Sequence, residues 1–323
     1  LWVGGPGIAG ATSIGEVLTG IITPSGRLVD TYAYDLTTQS TYYTSDYNYY
    51  YSTENPDKIL AGFSNYSENI YVGYRWYETA DAEGYWNAVS NEYGQGYEGV
   101  VQYPFGYGLS YTSFTQEIES VDVKNEIVNF TVKVTNNGDK YSGKDVIQIY
   151  TEAPYTDGGI EKSKVVLSAF EKTKELAPKE SDTYTLTVDL EDIASYDKNA
   201  ANGSGAYILE QGDYNFYLSN NAHSWAETDL TDMKKTYVYH QEEDIVYVGD
   251  AKRTSDQTAA ENQFENSEND IIELSRADSF ANAGEAVFSE IPDIGIDKED
   301  EIYNLVVTQA SAAGEFQDEI GNI

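Results

Sequence analysis

Cysteine is absent from the 323 residues. Disulfides, thiolate nucleophiles and cysteine-zinc sites are therefore excluded. A reducing compartment fits this absence but is not required by it. Histidine is almost absent too. His223 and His240 stand alone, with no paired nucleophile and no metal-ligand spacing, so no triad or zinc site is predicted around them. No cofactor is expected. Basic residues are scarce, 19 against 55 acidic ones, for a formal net charge of −36. Such a surface repels phosphate, which argues against nucleic acid and anionic membrane as partners. A neutral sugar is not penalised. No apolar run approaches the roughly 20 residues of a membrane helix, and no signal-peptide pattern is visible. The chain opens on Leu1-Trp2-Val3 rather than Met, which reads as an excerpt of a longer protein. The expected location is a bacterial cytoplasm, with secretion left open.

What is present allows real cores. Hydrophobic residues make up 40%, and the length suits two or three domains. Thirty tyrosines and a 14% aromatic share lean towards β-structure, because tyrosine fits half-wet strand faces. Leu1-Trp2-Val3 reads as the end of a buried strand. Ile14, Val17, Leu18 and Ile21 fall at helical spacing, with Gly20 placed to stop the helix. Pro24-Ser25-Gly26 reads as a tight turn. Gly5-Pro6-Gly7-Ile8-Ala9-Gly10 matches G-x-G-x-x-G in outline. The dinucleotide reading fails because Thr23-Pro24-Ser25-Gly26 interrupts the approach to Asp30 and no strand–helix alternation follows.

Residues 37–54 are polar and tyrosine-rich, and read as a loop whose rings either pack on their own domain or stack on sugar faces. Ile70, Val72 and Tyr74 alternate and predict a strand over 66–77, with Arg75 near its end. Arg75 either points at a ligand or pairs with Glu68 or Glu78. Past Val101–Phe114, a seam rich in glycine and aromatics, the period becomes two. Val128, Phe130, Val132 and Val134 alternate with polar residues, and Val146–Tyr150 is apolar enough to be central. Further runs cover Val165–Phe170, Tyr184–Val188, Ile208-Leu209 and Tyr214–Leu218. About seven short strands at this spacing argue for a β-sandwich. From His240 the periodicity fades into an acidic run that reads as an extended linker.

The seam Tyr103-Pro104-Phe105-Gly106-Tyr107-Gly108-Leu109-Ser110-Tyr111-Thr112-x-Phe114 resembles the join in glycoside hydrolase family 3 between an α/β sandwich domain and a fibronectin-III-like domain. Other landmarks follow in order. Pro24-Ser25-Gly26-Arg27-Leu28 is similar to the loop after the last helix of the family's α/β sandwich. Ile70-Tyr71-Val72-Gly73-Tyr74-Arg75 is similar to a further family motif. Val134-Asn136-Gly138, Gly143-Asp145-Val146, Gln148-Tyr150, Leu167-Phe170 and Leu209-Glu210-Gly212-Tyr214 resemble the companion β-domain. Arg253–Asp256 and Leu274–Asp278 resemble the connector of a permuted branch in which the (β/α)8 barrel comes last.

The resemblance implies an α/β fold, the C-terminal part of an α/β sandwich, over 1–110. An all-β fibronectin-III/immunoglobulin-like sandwich would follow over 111–239, then an irregular acidic linker over 240–290. Residues 291–323 stay unassigned. It implies a retaining hydrolase of β-glucosides or related β-linked sugars, with an oligosaccharide or β-glucoside as its substrate. Such enzymes need two carboxyls about 5 Å apart. No position here matches the family's nucleophilic aspartate or acid/base glutamate, so no catalytic residue is assigned and the chain alone is expected to be inactive. Tyr74, Arg75 and Trp76 are the candidate substrate-facing residues. A non-catalytic carbohydrate-binding or surface adhesion protein is the alternative. The sequence does not decide whether the protein is a homo-oligomer.

Overall fold

Alternation of apolar and polar residues turns directly into layers here. The computed structural model describes residues 7, 10–42, 48–51, 59–63, 66–262, 273–281, 283 and 303–305. They divide into two units, one of Leu1–Tyr32 with Tyr103–Asn262, the other of Ala33–Gln102 with Gln263–Ile323.

The first unit holds ten labelled strands: β1 (Phe114–Lys124), β2 (Ile127–Asn136), β3 (Val146–Glu152), β4 (Val166–Lys172), β5 (Ser181–Asp189), β6 (Ser195–Asp197), β7 (Ala206–Leu209), β8 (Gly212–Ser219), β9 (Thr236–Gln241) and β10 (Ile245–Tyr247). They form three antiparallel sheets. The orders are β1-β2-β5, β9-β8-β3-β4 and a small β6-β7-β10. Between the first two lies the core. Val128, Phe130, Val132 and Val134 of β2 meet Ile147 and Ile149 of β3 and Phe216 and Leu218 of β8, all buried. As expected, β3 is central, with β8 on one side and β4 on the other. Tyr214 is buried, and its hydroxyl donates to the Glu210 carbonyl four residues upstream (3.2 Å), a tyrosine corner at the entry to β8.

Strand β1 was not singled out by its sequence, and its geometry explains why. Its register slips between Ile118 and Ser120. Phe114, Gln116 and Ile118 therefore share one phase, while Val121 and Val123 carry the next. Asn125 and Glu126, both at positive φ (53° and 63°), join β1 to β2, as a type I′ hairpin turn requires.

The acidic-linker expectation over 240–290 needs correction. Strand β9 reaches Gln241 and β10 pairs with β7. The Arg253 guanidinium lies 3.5 Å from the Tyr207 ring centroid. The Thr254 N–H donates to the Glu191 carboxylate, and the Asn262 N–H to the Ser204 carbonyl at 2.5 Å. Acidic composition concealed these contacts because few of them are apolar.

In the second unit the expected strand over 66–77 is instead a run of turns up to Gly73 followed by a helix, α1 (Tyr74–Ala82). Gly73, at φ 58°, is the residue from which the helix starts. Trp76, Tyr77 and Ala80 then fall on one buried face, a helical recurrence. Trp76 meets Tyr85, Trp86 and Phe280 at centroid distances of 5.4, 5.7 and 5.0 Å. Phe280 and Leu274 come from within the expected linker. Arg276 there donates to Glu83 through Nε (2.8 Å) and Nη2 (2.6 Å). Part of the expected 37–54 loop is strand as well. Asn48–Tyr51 pairs with Ile59–Phe63 on one side and Tyr303–Leu305 on the other. Leu1-Trp2-Val3, most of the Gly5–Gly10 stretch and most of 291–323 lie outside the described residues.

Candidate functional site

The seam is a lock. Pro104, Phe105, Gly106 and Tyr107 form a turn closed by the Tyr107 N–H on the Pro104 carbonyl (3.2 Å). Gly106 stands third with φ 81°, the value a type II turn needs there. Its backbone lies on the outer face of β3. A Cβ at Gly106 would sit 2.2 Å from Gln148 Oε1 and 2.9 Å from the Tyr150 hydroxyl. Gln148 Nε2 donates to the carbonyls of Asn220 (2.9 Å) and Gly106 (3.3 Å), while its Oε1 accepts from Tyr150 (2.7 Å). The Ala222 N–H donates to the Phe105 carbonyl (2.9 Å).

Pro24–Leu28 forms no tight turn, and Leu28 pairs with the seam. Its N–H donates to Tyr107 and its carbonyl accepts from Gly106 (2.9 and 2.8 Å). Arg27 reaches Asp145 and forms a half-buried ion pair. Asp145 also accepts from Gln116 Nε2 (2.7 Å) and the Val146 N–H (2.9 Å). Three landmarks far apart in sequence thus converge on one structural joint. It anchors backbone and pairs most of its buried polar groups, while Arg27 Nε and Gln116 Oε1 find no partner.

The substrate-facing candidates separate. Tyr74 is half-buried and Arg75 exposed, both in the first turn of α1. Among the described residues Arg75 makes no ion pair. The expected partner Glu78 is buried and instead accepts from the Tyr97 hydroxyl (2.6 Å). Burial, then the Glu78 charge, pushes the Tyr97 phenol well above its ordinary range. Trp76 requires correction. It is 2% exposed, and its Nε1 donates to the Thr38 carbonyl (2.7 Å). A ring enclosed on an aromatic core cannot meet a sugar.

No group of three or more His, Asp or Glu able to hold a metal occurs among the described residues. His240 Nδ1 lies 2.6 Å from Asp213 on an exposed strand face. His223 lies beside Trp225 (6.0 Å between centroids). One further pair of rings, Tyr34 and Tyr93, carries no signal in the sequence, and the fold stacks them at 3.9 Å.

The fold agrees with known proteins. Residues 145–222 match the fibronectin type III-like domain family, so the sandwich belongs to that class. A β-glucosidase of Ruminococcus albus is 38% identical over 242 residues, covering 75% of this chain and 22% of the relative. β-Glucosidase A of Butyrivibrio fibrisolvens is 34% identical, covering 74% and 27%. The solved β-glucosidase of Paenibacillus barengoltzii superposes with a TM-score of 0.54 at 34% identity, covering 73% of this chain and 22% of that one. The chain is thus a β-glucosidase-like segment of glycoside hydrolase family 3, and it spans about a quarter of the length of these relatives.

Proposed function

We propose that this chain is the scaffold segment of a retaining glycoside hydrolase that cleaves β-glucosides or related β-linked sugars. The observation that carries the reading is the 38% identity to a β-glucosidase across three quarters of the chain. In this reading residues 1–110 supply the end of an α/β sandwich, and the (β/α)8 barrel follows in a permuted order. The nucleophilic aspartate and the acid/base glutamate lie outside residues 1–323, and the joint around Arg27, Gly106 and Asp145 holds the scaffold in shape. Tyr74 and Arg75, the accessible members of the candidate trio, face the substrate side. The −36 charge suits a neutral substrate, since it repels anionic ones.

Release of nitrophenol from aryl β-D-glucoside and β-D-xyloside tests this. The 323-residue chain is expected to release none above buffer, and the complete protein to turn over. Turnover by the chain alone would place both carboxyls within it and overturn the assignment. Inactivity of the complete protein would favour a carbohydrate-binding or adhesion role.

A further inference from the structure

We infer that Asp157-Gly158 is a self-modification site, where the folded chain converts to isoaspartate as freely as an unfolded one. Three pairs in the chain have glycine after Asn or Asp: Asn137-Gly138, Asp157-Gly158 and Asn202-Gly203. In such a pair the glycine nitrogen attacks the side-chain carbonyl carbon. A five-membered succinimide forms as the new N–C bond closes. The nitrogen's proton departs with the leaving group, as water from Asp or ammonia from Asn. Water then reopens the ring at either carbonyl. One opening gives Asp, and the other gives isoaspartate, whose backbone runs through Cβ. Glycine speeds the closure because no side chain crowds its nitrogen. Exposure does not separate the three pairs, since Asn137, Asp157 and Asn202 all lie at the surface.

Hydrogen bonds do separate them. The Gly138 N–H donates to Asn136 Oδ1 (3.0 Å), and the Asn137 carboxamide donates to Thr115 Oγ1 (2.7 Å). The Gly203 N–H donates to the carbonyls of Asn199 (3.2 Å) and Ala200 (3.0 Å). Both attacking nitrogens are therefore engaged, and the Asn137 side chain is held as well. At Asp157-Gly158 neither reacting group is held. Among the described residues the Asp157 carboxylate makes no hydrogen bond or ion pair, and the Gly158 N–H donates to nothing. A Cβ at Gly158 would meet nothing within 4 Å, whereas one at Gly138 would collide with the Thr112 hydroxyl. The ring has room to close only at the first.

The turn can also absorb the product. The Gly159 N–H donates to the Thr156 carbonyl (2.8 Å), and Gly158 stands third in this turn at φ 74°. Below it, Lys162 donates to the Pro154 carbonyl and pairs with Glu210. The extra backbone carbon of isoaspartate therefore stays within the tip that joins β3 to β4, where change is tolerated. The product carries a free α-carboxylate on an exposed backbone. That group suits a methyltransferase using S-adenosylmethionine, in which the sulfonium becomes a thioether and the carboxylate a methyl ester. The ester recloses to the succinimide with loss of methanol, which returns part of the chain to Asp.

The test ages the 323-residue chain in neutral buffer and, in parallel, unfolded in guanidinium chloride. Amide-exchange protection in β2 and β3 verifies the folded sample. Peptide mapping with electron-transfer fragmentation then follows each pair, Asp157 in the tryptic peptide Asp145–Lys162. Asp157 is expected to convert at its unfolded rate. Asn137 and Asn202 are expected to convert at least about tenfold more slowly than when unfolded, because a hydrogen bond must open first. Asp157→Asn puts a carboxamide in the same turn, and it should deamidate at its unfolded rate while Asn137 and Asn202 do not. Methyl groups transferred to the aged Asp145–Lys162 peptide by an isoaspartyl methyltransferase should vanish in Asp157→Ser. Slowing of Asp157 on folding to the extent seen at the two Asn sites would overturn the inference. So would an aged peptide that accepts no methyl group, or a fold that slows none of the three pairs. Sugar hydrolysis plays no part in these readouts, so the proposed function stands or falls separately.

Discussion

The two units build their interiors from different materials. The sandwich core is mainly aliphatic around a trio of rings, with Phe130 5.3 Å from Phe216 and Tyr237 6.1 and 6.3 Å from the two. Its strands satisfy their own backbones by ladder pairing, and most side chains between the sheets carry no polar group, Tyr214 with its bond to Glu210 being one that does. The second unit gathers Tyr71, Trp76, Tyr77, Trp86, Tyr97 and Phe280, and several carry a polar handle that must be matched. Trp76 donates to Thr38, Trp86 to the Tyr77 carbonyl (3.3 Å) and Tyr97 to Glu78. An aliphatic core depends on area and shape. A ring core depends also on where each donor ends up.

The sharpest way to break this comparison is to hollow out each core. Phe130→Ala and Trp76→Ala are each expected to cost about 3–5 kcal/mol. Amide hydrogen exchange should show the first loss in β1–β5, β8 and β9, and the second in 66–102 and 273–283. Protection lost across both units in either variant would show one cooperative core instead of two. Gly106→Ala is next. A methyl group there meets Gln148 and Tyr150 at a positive φ, so a loss of about 1–3 kcal/mol is expected by denaturant titration. Gln148→Ala in the same background should recover part of it.

Alkaline titration gives a graded comparison. Burial raises the phenols of Tyr214, Tyr217 and Tyr247 in the sandwich, Tyr247 to about 12, and that of Tyr97 in the ring core. A raised phenol stays protonated longer when folded. Its contribution is therefore complete below the unfolded value near pH 10 and is lost as pH rises further. Absorbance at about 295 nm should show the exposed tyrosines ionising first and these four only with unfolding. Tyr97→Phe should remove the part belonging to the ring core. Early ionisation of Tyr97 would mean its burial has been misread.

The smallest effect belongs to His240. Its hydrogen bond to Asp213 raises its pKa, so the bond helps the fold below the unfolded value of about 6.5 and fades as pH rises through the folded one. Asp213→Asn should return the imidazole to about 6.5 by NMR, with almost no change in melting.

Legibility in the sequence followed periodicity. Strands β2, β3, β5 and β8 could be read because each keeps one phase, as Val128-Phe130-Val132-Val134 does. Strand β1 could not, because its bulge at Ile118/Ser120 shifts the phase. The 66–77 run misled for a related reason. Three alternating residues mimic a strand, while the break at Gly73 depends on a φ that composition does not show. Arg75 drew notice for its aromatic neighbours, yet Arg27 and Arg276 are arginines that found distant carboxylates, 118 and 193 positions away.

The sequence by itself determined the chemistry available: no thiol, no metal cluster of soft ligands, a surface hostile to anions, and a run of alternating strands that must pair in a sandwich. These follow from composition and from the two-residue period of a strand, both local quantities. Only the tertiary structure decided which distant residues meet. It brought Arg27 to Asp145, set Gly106 against Gln148, placed Phe280 beside Trp76 and stacked Tyr34 on Tyr93. Those pairings come from chain crossings and backbone angles, which no local pattern encodes.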